Sequence, residues 1–255
     1  MSALRTTGAA ALVLAASALG HAAIAAEEVE PINISWPHEG IFGSFDRAAA
    51  QRGLQVYREV CSVCHGLTYV AFRNLMELGF NEDQARALAA EYTVTDGPDE
   101  NGEMFERPAR PSDPLPPPYP NDQAARAANA GALPPELSLI TKARPGGSDY
   151  TYSLLVGYEE PPADVEPQEG LYYNVFFPGQ WIAMPPPLQD GQVQYADGTE
   201  ATVPQMSGDV TTFLTWAAEP TLEQRKQTGL RAMLFLIVFT GLCYATMRKV
   251  WAYAH

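Results

Sequence analysis

The spacing of apolar and polar residues predicts a chain built mostly of short helices joined by long loops. Ala50, Leu54 and Tyr57 recur at the three- to four-residue interval of a helical face within a helix predicted over 47–60, and Cys61 continues the spacing. Asp46 stands directly before that helix, where an N-cap residue is expected. Similar patterns predict further helices over 69–78, 81–91, 122–130, 136–142, 148–157 and 209–217.

The segments between these helices are polar and rich in turn-forming residues. Residues 93–122 combine Pro, Gly and acidic residues and are predicted to form a long surface insertion. Two short apolar runs, 193–195 and 201–203, flank Asp197-Gly198 and predict a small β-hairpin. The pattern as a whole predicts a mainly α fold with long Pro-rich insertions, one small hairpin and a C-terminal membrane helix.

The membrane helix is predicted from a run near the C-terminus, 232–247, that contains no charged residue. At about 1.5 Å per residue the run covers roughly 24 Å, a little less than the ~30 Å hydrocarbon core of a bilayer. Arg231 and Lys249 bracket it and can extend its reach by placing their charges at the interface. We therefore expect a single anchor over 228–250, in contact with membrane lipid, followed by a short cytoplasmic tail over 251–255.

The N-terminal 26 residues have the pattern of a secretory signal peptide. Arg5 precedes an apolar stretch, and Ala23-Ile24-Ala25 forms a small-residue cleavage site. The low Arg content favours a bacterial export signal over a mitochondrial presequence. Residues 27–222 are accordingly expected to form one extracytoplasmic domain, on the periplasmic side of the bacterial inner membrane.

The formal net charge of −14 limits the classes of partner. A surface of this sign repels the phosphates of nucleic acid and attracts basic proteins. We therefore expect no nucleic-acid partner.

The clearest chemical signal is the C-x-x-C-H motif at residues 61–65, the attachment signature of a c-type haem. Helical spacing lets Cys61 and Cys64 form thioethers with one porphyrin, while His65 is placed to bind the iron. A zinc site would need further Cys or His ligands, and the remaining cysteine, Cys243, lies in the predicted membrane run. The motif predicts one covalently attached haem c.

The second axial ligand decides between electron transfer and chemistry at an open iron. His38 could give bis-His ligation, and Met184 or Met206 could give His/Met ligation. Met184 is favoured because the three prolines that follow it restrict the backbone of its loop. A thioether ligand raises the potential relative to bis-His ligation and suits an electron carrier.

Several blocks of the sequence together resemble the cytochrome c1 family, the haem subunit of the cytochrome bc1 complex (ubiquinol–cytochrome c reductase), in its bacterial form. The C-x-x-C-H motif alone is shared by most c-type cytochromes, whereas this combination is far more specific. The blocks are F-D-R-A at 45–48, R-G-L-Q-V-Y at 52–57, V-C-S-V-C-H at 60–65, N-A-G-A-L-P-P-E-L at 129–137, A-R-P-G-G at 143–147, F-P-G-Q at 177–180, I-A-M at 182–184 and W-A-A-E-P at 216–220.

This resemblance implies a mono-haem domain of mainly helical class with Met184 as the sixth iron ligand. It suggests Arg126 as a partner of a haem propionate. It also implies three protein partners, namely cytochrome b, a Rieske iron–sulfur protein as electron donor and a soluble basic cytochrome c as acceptor. One departure is the run of three prolines after Met184, where we expect a more mixed loop in relatives.

Two other functions compete with this interpretation. A free-standing, membrane-tethered cytochrome c could shuttle electrons to a terminal oxidase, but it would need a flexible linker before its anchor. A haem enzyme or gas sensor would need a vacant or labile sixth site. No set of residues resembling a hydrolytic triad or a phosphate-binding loop appears in the sequence, so we expect no catalytic residue in this chain.

Overall fold

The computed structural model describes residues 29–253, which form a helical domain followed by one long helix. The predicted signal peptide at 1–26 and the last two residues of the predicted tail lie outside the described residues. In chain order the α-helices are α1 (Arg47–Glu59), α2 (Glu82–Ala90), α3 (Asp122–Ala128), α4 (Ile140–Ala143), α5 (Gly147–Val156), α6 (Val203–Ala218) and α7 (Leu222–Tyr253). Two 3₁₀ helices span Cys61–Val63 and Phe72–Leu78.

Helix α1 begins and ends as the sequence predicts. The side chain of Asp46 accepts a hydrogen bond from the Ala49 amide at 3.1 Å, which satisfies one of the free donors at the helix start. Its buried face carries Leu54, Val56 and Tyr57. This face packs against α6, and the two helices form the centre of the domain.

A close helix contact lies where Gly53 of α1 meets α6. A Cβ atom at Gly53 would lie 2.0 Å from the carbonyl oxygen of Asp209, so only glycine fits there. Beside this contact, the Arg52 guanidinium donates two hydrogen bonds of 2.9 Å to the buried carboxylate of Asp209. The same guanidinium donates to Asp197 at 2.8 Å. Shape and charge together fix the α1–α6 pairing.

The structure corrects the predicted hairpin at 193–203. This segment forms no strand, because Val193, Tyr195 and Ala201 are buried in the core and its turn is held instead by Arg52 at Asp197. The two antiparallel hairpins lie elsewhere. One pairs β1 (Thr93–Asp96) with β2 (Phe105–Pro108), and the other pairs β3 (Tyr172–Tyr173) with β4 (Trp181–Ile182).

The insertion at 93–122 is therefore more ordered than its composition indicates. Arg107 of β2 forms ion pairs with Asp96 and Asp113. Leu115 is 1% exposed, and its amide donates to the Val70 carbonyl at 2.9 Å. The Pro-rich chain thus packs onto the domain.

Three other predicted helices have different bounds. Only Phe72–Leu78 of the predicted 69–78 segment is helical, as a 3₁₀ helix, and only α4 represents the 136–142 segment. Helix α6 starts at Val203, six residues earlier than predicted, because Thr202 caps it through the Gln205 amide. The helices predicted at 81–91, 122–130 and 148–157 are confirmed as α2, α3 and α5.

Helix α7 contains the predicted apolar run and is longer than it. It has 32 residues, and its most apolar stretch is not buried against the domain. A helix of this length and composition can cross a bilayer, and it is the one described helix that can.

Polar contacts of two residues of α7 and of Glu219, just before it, fasten the start of α7 to the domain. Glu223 accepts hydrogen bonds from the Phe45 amide at 2.8 Å and from Arg47 at 2.9 Å. Lys226 donates to the His38 carbonyl at 2.5 Å, and Glu219 is paired with Lys142 at 2.9 Å. The anchor helix therefore follows the domain directly, and hydrogen bonds hold its first residues against that domain.

Candidate haem-binding site

The C-x-x-C-H motif lies at the C-terminal end of α1, in a tight turn. The amides of Cys64 and His65 both donate to the Cys61 carbonyl, at 3.1 and 2.9 Å. Residues bonded in this way sit one above another on a single turn. The two sulfurs and the imidazole are thus presented together, as attachment to one porphyrin requires.

The orientation of His65 is set by its Nδ1 atom, which lies 2.7 Å from the Pro135 carbonyl oxygen. Since a carbonyl oxygen only accepts, Nδ1 carries the proton and Nε2 is left with its lone pair for the iron. Burial lowers the pKa of His65, which keeps the ring neutral and able to ligate. The backbone of the motif is held as well, by Tyr57, whose hydroxyl donates to the His65 carbonyl at 3.1 Å.

The surroundings of the cysteines also fit a covalently bound, uncharged sulfur. Burial, with the neighbouring Cys64 as a smaller cause, raises the pKa of the Cys61 thiol to about 12. Such an environment disfavours a thiolate and suits a thioether. Apolar side chains are exposed within the motif and near its partner segment: Val63 is 65% exposed, and Leu133, two residues before Pro135, is 38% exposed. The residues present therefore fit a haem.

Met184 follows β4 and is half-buried in its loop. Its carbonyl accepts a hydrogen bond from the Tyr158 hydroxyl at 3.1 Å, just beyond the end of α5. Burial raises the pKa of Tyr158, so this hydroxyl remains a donor across the physiological range. Tyr158 thus fixes the backbone of the candidate ligand.

The β3–β4 connection, which precedes Met184, is tied to α5 by Asn174, a fully buried polar residue. Its side-chain amide donates to the Leu154 carbonyl at 2.8 Å, and its side-chain oxygen accepts from the Phe176 amide at 3.1 Å. Its backbone amide donates to the Gln180 carbonyl at 2.9 Å. The β3–β4 connection and the backbone of Met184 are therefore both hydrogen-bonded to the α5 region.

The other candidate axial ligands are engaged elsewhere. Met206 is 0% exposed in the hydrophobic core of α6. His38 is 5% exposed, stacks on Trp36 and lies 3.3 Å from the Ser148 hydroxyl. These placements favour Met184 over both alternatives.

Arg126 is exposed at the end of α3, where it donates to the Gly131 carbonyl at 3.0 Å. It thereby stabilises the loop that leads to Pro135. Within residues 29–253, no hydrogen bond joins Arg126 or Met184 to His65. The structure thus brings Cys61, Cys64 and His65 together on one turn, and attaches the other two candidates to the neighbouring α3–α5 region.

Sequence reasoning missed three residues that support the site. Pro135 belongs to one of the blocks that carry the family resemblance, but nothing in the sequence assigns its carbonyl to His65. Tyr158 and Asn174 gave no signal, since a tyrosine and an asparagine in a loop are ordinary.

A zinc site remains unsupported, because within the described residues no group of three or more His, Cys, Asp or Glu is placed to hold a metal ion.

Comparison with known proteins gives one consistent family. The model of the Cytochrome C1 family matches residues 36–254. Among curated relatives, "Cytochrome c1" of Rhodospirillum rubrum is 50% identical over 85% of this chain and 85% of its own length. "Cytochrome c1 2, heme protein, mitochondrial" of Arabidopsis thaliana is 48% identical over 93% of this chain and 77% of its own length.

A further relative is "Cytochrome b/c1" of Bradyrhizobium diazoefficiens, which is 52% identical over 89% of this chain. The chain spans only 36% of that relative's length. These matches agree with the C-x-x-C-H turn and the terminal apolar helix described above. The chain belongs to the cytochrome c1 family, as a haem-carrying electron-transfer subunit of the cytochrome bc1 complex with a C-terminal membrane anchor.

Proposed function

We propose that this cytochrome c1 takes electrons from a Rieske iron–sulfur protein and passes them to a soluble basic cytochrome c, beside a cytochrome b subunit. The observation that carries the proposal is the bond from His65 Nδ1 to the Pro135 carbonyl, which prepares Nε2 as a permanent iron ligand. When bound, the haem supplies a one-electron ferric–ferrous couple.

Cys61 and Cys64 are the proposed covalent attachment points, and His65 and Met184 are the proposed axial ligands. The Met184 thioether favours ferrous iron and raises the potential. Tyr158 and the prolines after Met184 restrain its backbone, so that its sulfur would be held ready to fill the sixth position of the haem iron. A filled position suits electron transfer without bond making.

Arg126 is proposed to pair with a haem propionate. A guanidinium presents a planar pair of donors that matches a carboxylate. Its existing bond to the Gly131 carbonyl uses Nη1. The proposed pairing would keep a propionate charge compensated near the surface.

The haem domain, 27–222, is proposed to face the periplasm of a bacterial inner membrane, with the tail in the cytoplasm. The predicted signal peptide and the need to attach haem on the exported side support this orientation. The net charge of −14 suits a basic acceptor, whose approach would be steered at low salt and slowed at high salt.

The contacts at the start of α7 argue against a haem domain that moves freely on a tether. Glu223 and Lys226 bind the backbone at Phe45 and His38, so no flexible linker separates the domain from its anchor. A shuttle that reaches a distant oxidase would need a flexible linker between its haem domain and its anchor.

The test is purification through a C-terminal tag in mild detergent, followed by a reduced-minus-oxidised spectrum and a quinol-dependent assay with added cytochrome c. We expect b-type bands beside the c-type band, a Rieske signal in electron paramagnetic resonance, and reductase activity that falls as salt rises. A c-type band alone after gentle handling would support the tethered shuttle instead. Carbon monoxide binding to the reduced protein at neutral pH would contradict a filled sixth site.

A further inference from the structure

The loop at 37–44 carries two large apolar side chains with little cover. Ile41 is 68% exposed and Phe42 is 83% exposed, the largest exposure of any phenylalanine among the exposed apolar residues described. Adjacent exposed residues of this size mark a surface that meets lipid or protein. The haem site makes no use of either side chain.

The loop has a closed and defined shape. The Ser44 amide donates to the Pro37 carbonyl at 2.9 Å, which joins the two ends of the loop. A Cβ atom on Gly43 would lie 1.8 Å from the Glu39 carbonyl oxygen, so the tight return of the chain requires glycine. The tip, residues 40–42, is therefore held out from a fixed stem.

Hydrogen bonds between the stem and the start of α7 show which way the loop runs relative to that helix. The Phe45 amide binds Glu223, while the Gly43 carbonyl binds Lys226 at 3.3 Å. Lys226 lies three residues further along the helix, or about 4.5 Å nearer the apolar run. From Phe45 back to Gly43, the chain thus descends beside α7 toward its membrane-spanning part.

Phe42 and Ile41 are the next residues along this path. They form the turn at the tip, which the Gly43 amide closes by donating to the Gly40 carbonyl at 3.4 Å. Successive Cα atoms are about 3.8 Å apart, so these residues reach at most about 4–7 Å beyond Gly43, the level of the helix residues about two to five positions beyond Lys226. Leu230, four positions beyond Lys226, is the first large apolar side chain that α7 exposes, at 38%, and Met233 follows three residues later at 61%.

We propose that Ile41 and Phe42 form a second membrane contact, in which the loop tip enters the headgroup and upper acyl region of the same leaflet that receives α7. The occupant is lipid because the tip lies level with the start of a membrane-spanning helix and presents apolar side chains outward. The tip itself carries no charged side chain, and Glu39, the only acidic residue of the loop, directly precedes it. Two contacts set the tilt of the haem domain over the bilayer, which one helix alone does not do.

The test uses a fluorescent thiol label in full-length protein, both alone and within the purified complex. Cys243→Ser removes the free thiol of the anchor, and the thioethers block Cys61 and Cys64. Phe42→Cys places the label at the tip. Met233→Cys serves as a lipid-exposed reference and Met104→Cys, 61% exposed in the β1–β2 loop, as a water-exposed reference. An unchanged haem spectrum checks each variant.

Each labelled protein is reconstituted in phosphatidylcholine vesicles, and quenching by aqueous iodide is compared with quenching by phosphatidylcholine carrying an acyl-chain nitroxide. We expect the label at position 42 to follow position 233, with strong nitroxide quenching and several-fold weaker iodide quenching than at position 104. Behaviour like position 104 would overturn the proposal. Protection from both quenchers in the complex would also overturn it and would show that another subunit covers the loop.

Discussion

His65 Nδ1 lies 2.7 Å from the carbonyl oxygen of Pro135, 70 residues further along the chain. The bond joins the haem-attachment turn to the segment that follows Arg126 and precedes α4. A second bond, from the Leu137 amide to the Gly66 carbonyl at 2.9 Å, lies beside it. The imidazole plane is therefore set by the domain around it before any iron ligation is considered.

Replacing Met184 tests the sixth ligand. We expect Met184→Leu to lower the potential by on the order of a few tenths of a volt, within the ~0.8 V range that axial ligands set. The reduced protein should also gain carbon monoxide binding. Redox titration and a carbon monoxide difference spectrum measure both. Met76→Leu, at a position 45% exposed, is the control that should change neither. An unchanged potential in Met184→Leu would contradict the assignment.

Tyr158→Phe tests whether a backbone bond keeps Met184 in place. Loss of one hydrogen bond, worth about 1 kcal/mol, should raise the affinity of the oxidised protein for added imidazole several-fold. Titration followed through the sulfur-to-iron absorption band measures this affinity. Tyr69→Phe, at an exposed tyrosine, is the matched control. Equal affinity in both variants would mean that the prolines alone hold the loop.

His38 predicts a pH dependence of stability. Burial, with Lys226 as a smaller cause, lowers its pKa from 6.5 to about 4, and Asp149 acts in the opposite direction. Between these pH values the unfolded chain binds a proton that the folded chain does not, so the free energy of unfolding falls as pH falls from about 6.5 toward 4. Thermal loss of the haem circular dichroism measures the trend. It should be shallower in His38→Gln, and identical slopes would contradict the prediction.

Arg52→Met should strongly destabilise the domain. It leaves Asp209, whose side chain is 2% exposed, as an unpaired buried charge, which typically costs about 3–5 kcal/mol. Arg52→Met combined with Asp209→Leu should recover much of the loss. Arg86→Met, which breaks exposed pairs with Glu82 and Asp83, should cost at most about 1 kcal/mol. Denaturant unfolding of the four proteins gives the comparison, and equal losses in both single variants would contradict it.

Arg47→Met tests the grip on the anchor helix. Without the Arg47–Glu223 pair, the first turn of α7 should open more often. Trypsin should then cleave after Arg225 and Lys226 several-fold faster in protein reconstituted in vesicles. Arg86→Met again serves as the control. Unchanged cleavage would indicate that the Lys226 contacts suffice.

The sequence predicts those parts of the fold that depend on neighbouring residues. The Asp46 cap and the helical face of α1 follow from local spacing and appear as expected. The C-x-x-C-H motif needs only five residues to identify its cofactor. The terminal anchor follows from one apolar run.

The parts that were missed depend on residues far apart in the chain. Val193 and Tyr195 alternate like a strand, yet burial against α1 and the Arg52–Asp197 pair decide their conformation. The bond from His65 to Pro135 and the bond from Tyr158 to Met184 each involve a backbone carbonyl, which every residue has. No side-chain pattern can single out such an acceptor.

The hydrogen bonds between the start of α7 and the loop before α1 have a consequence for the order in which the chain folds. Phe45 and Glu223 are 178 residues apart, and His38 and Lys226 are 188 residues apart. During synthesis the cysteines therefore emerge long before the partners that close the domain around them. Closure of so wide a loop is a late and slow event in folding. We therefore expect the contacts at the start of α7 to form only after the rest of the domain has been synthesised, later than the turn that carries the cysteine pair.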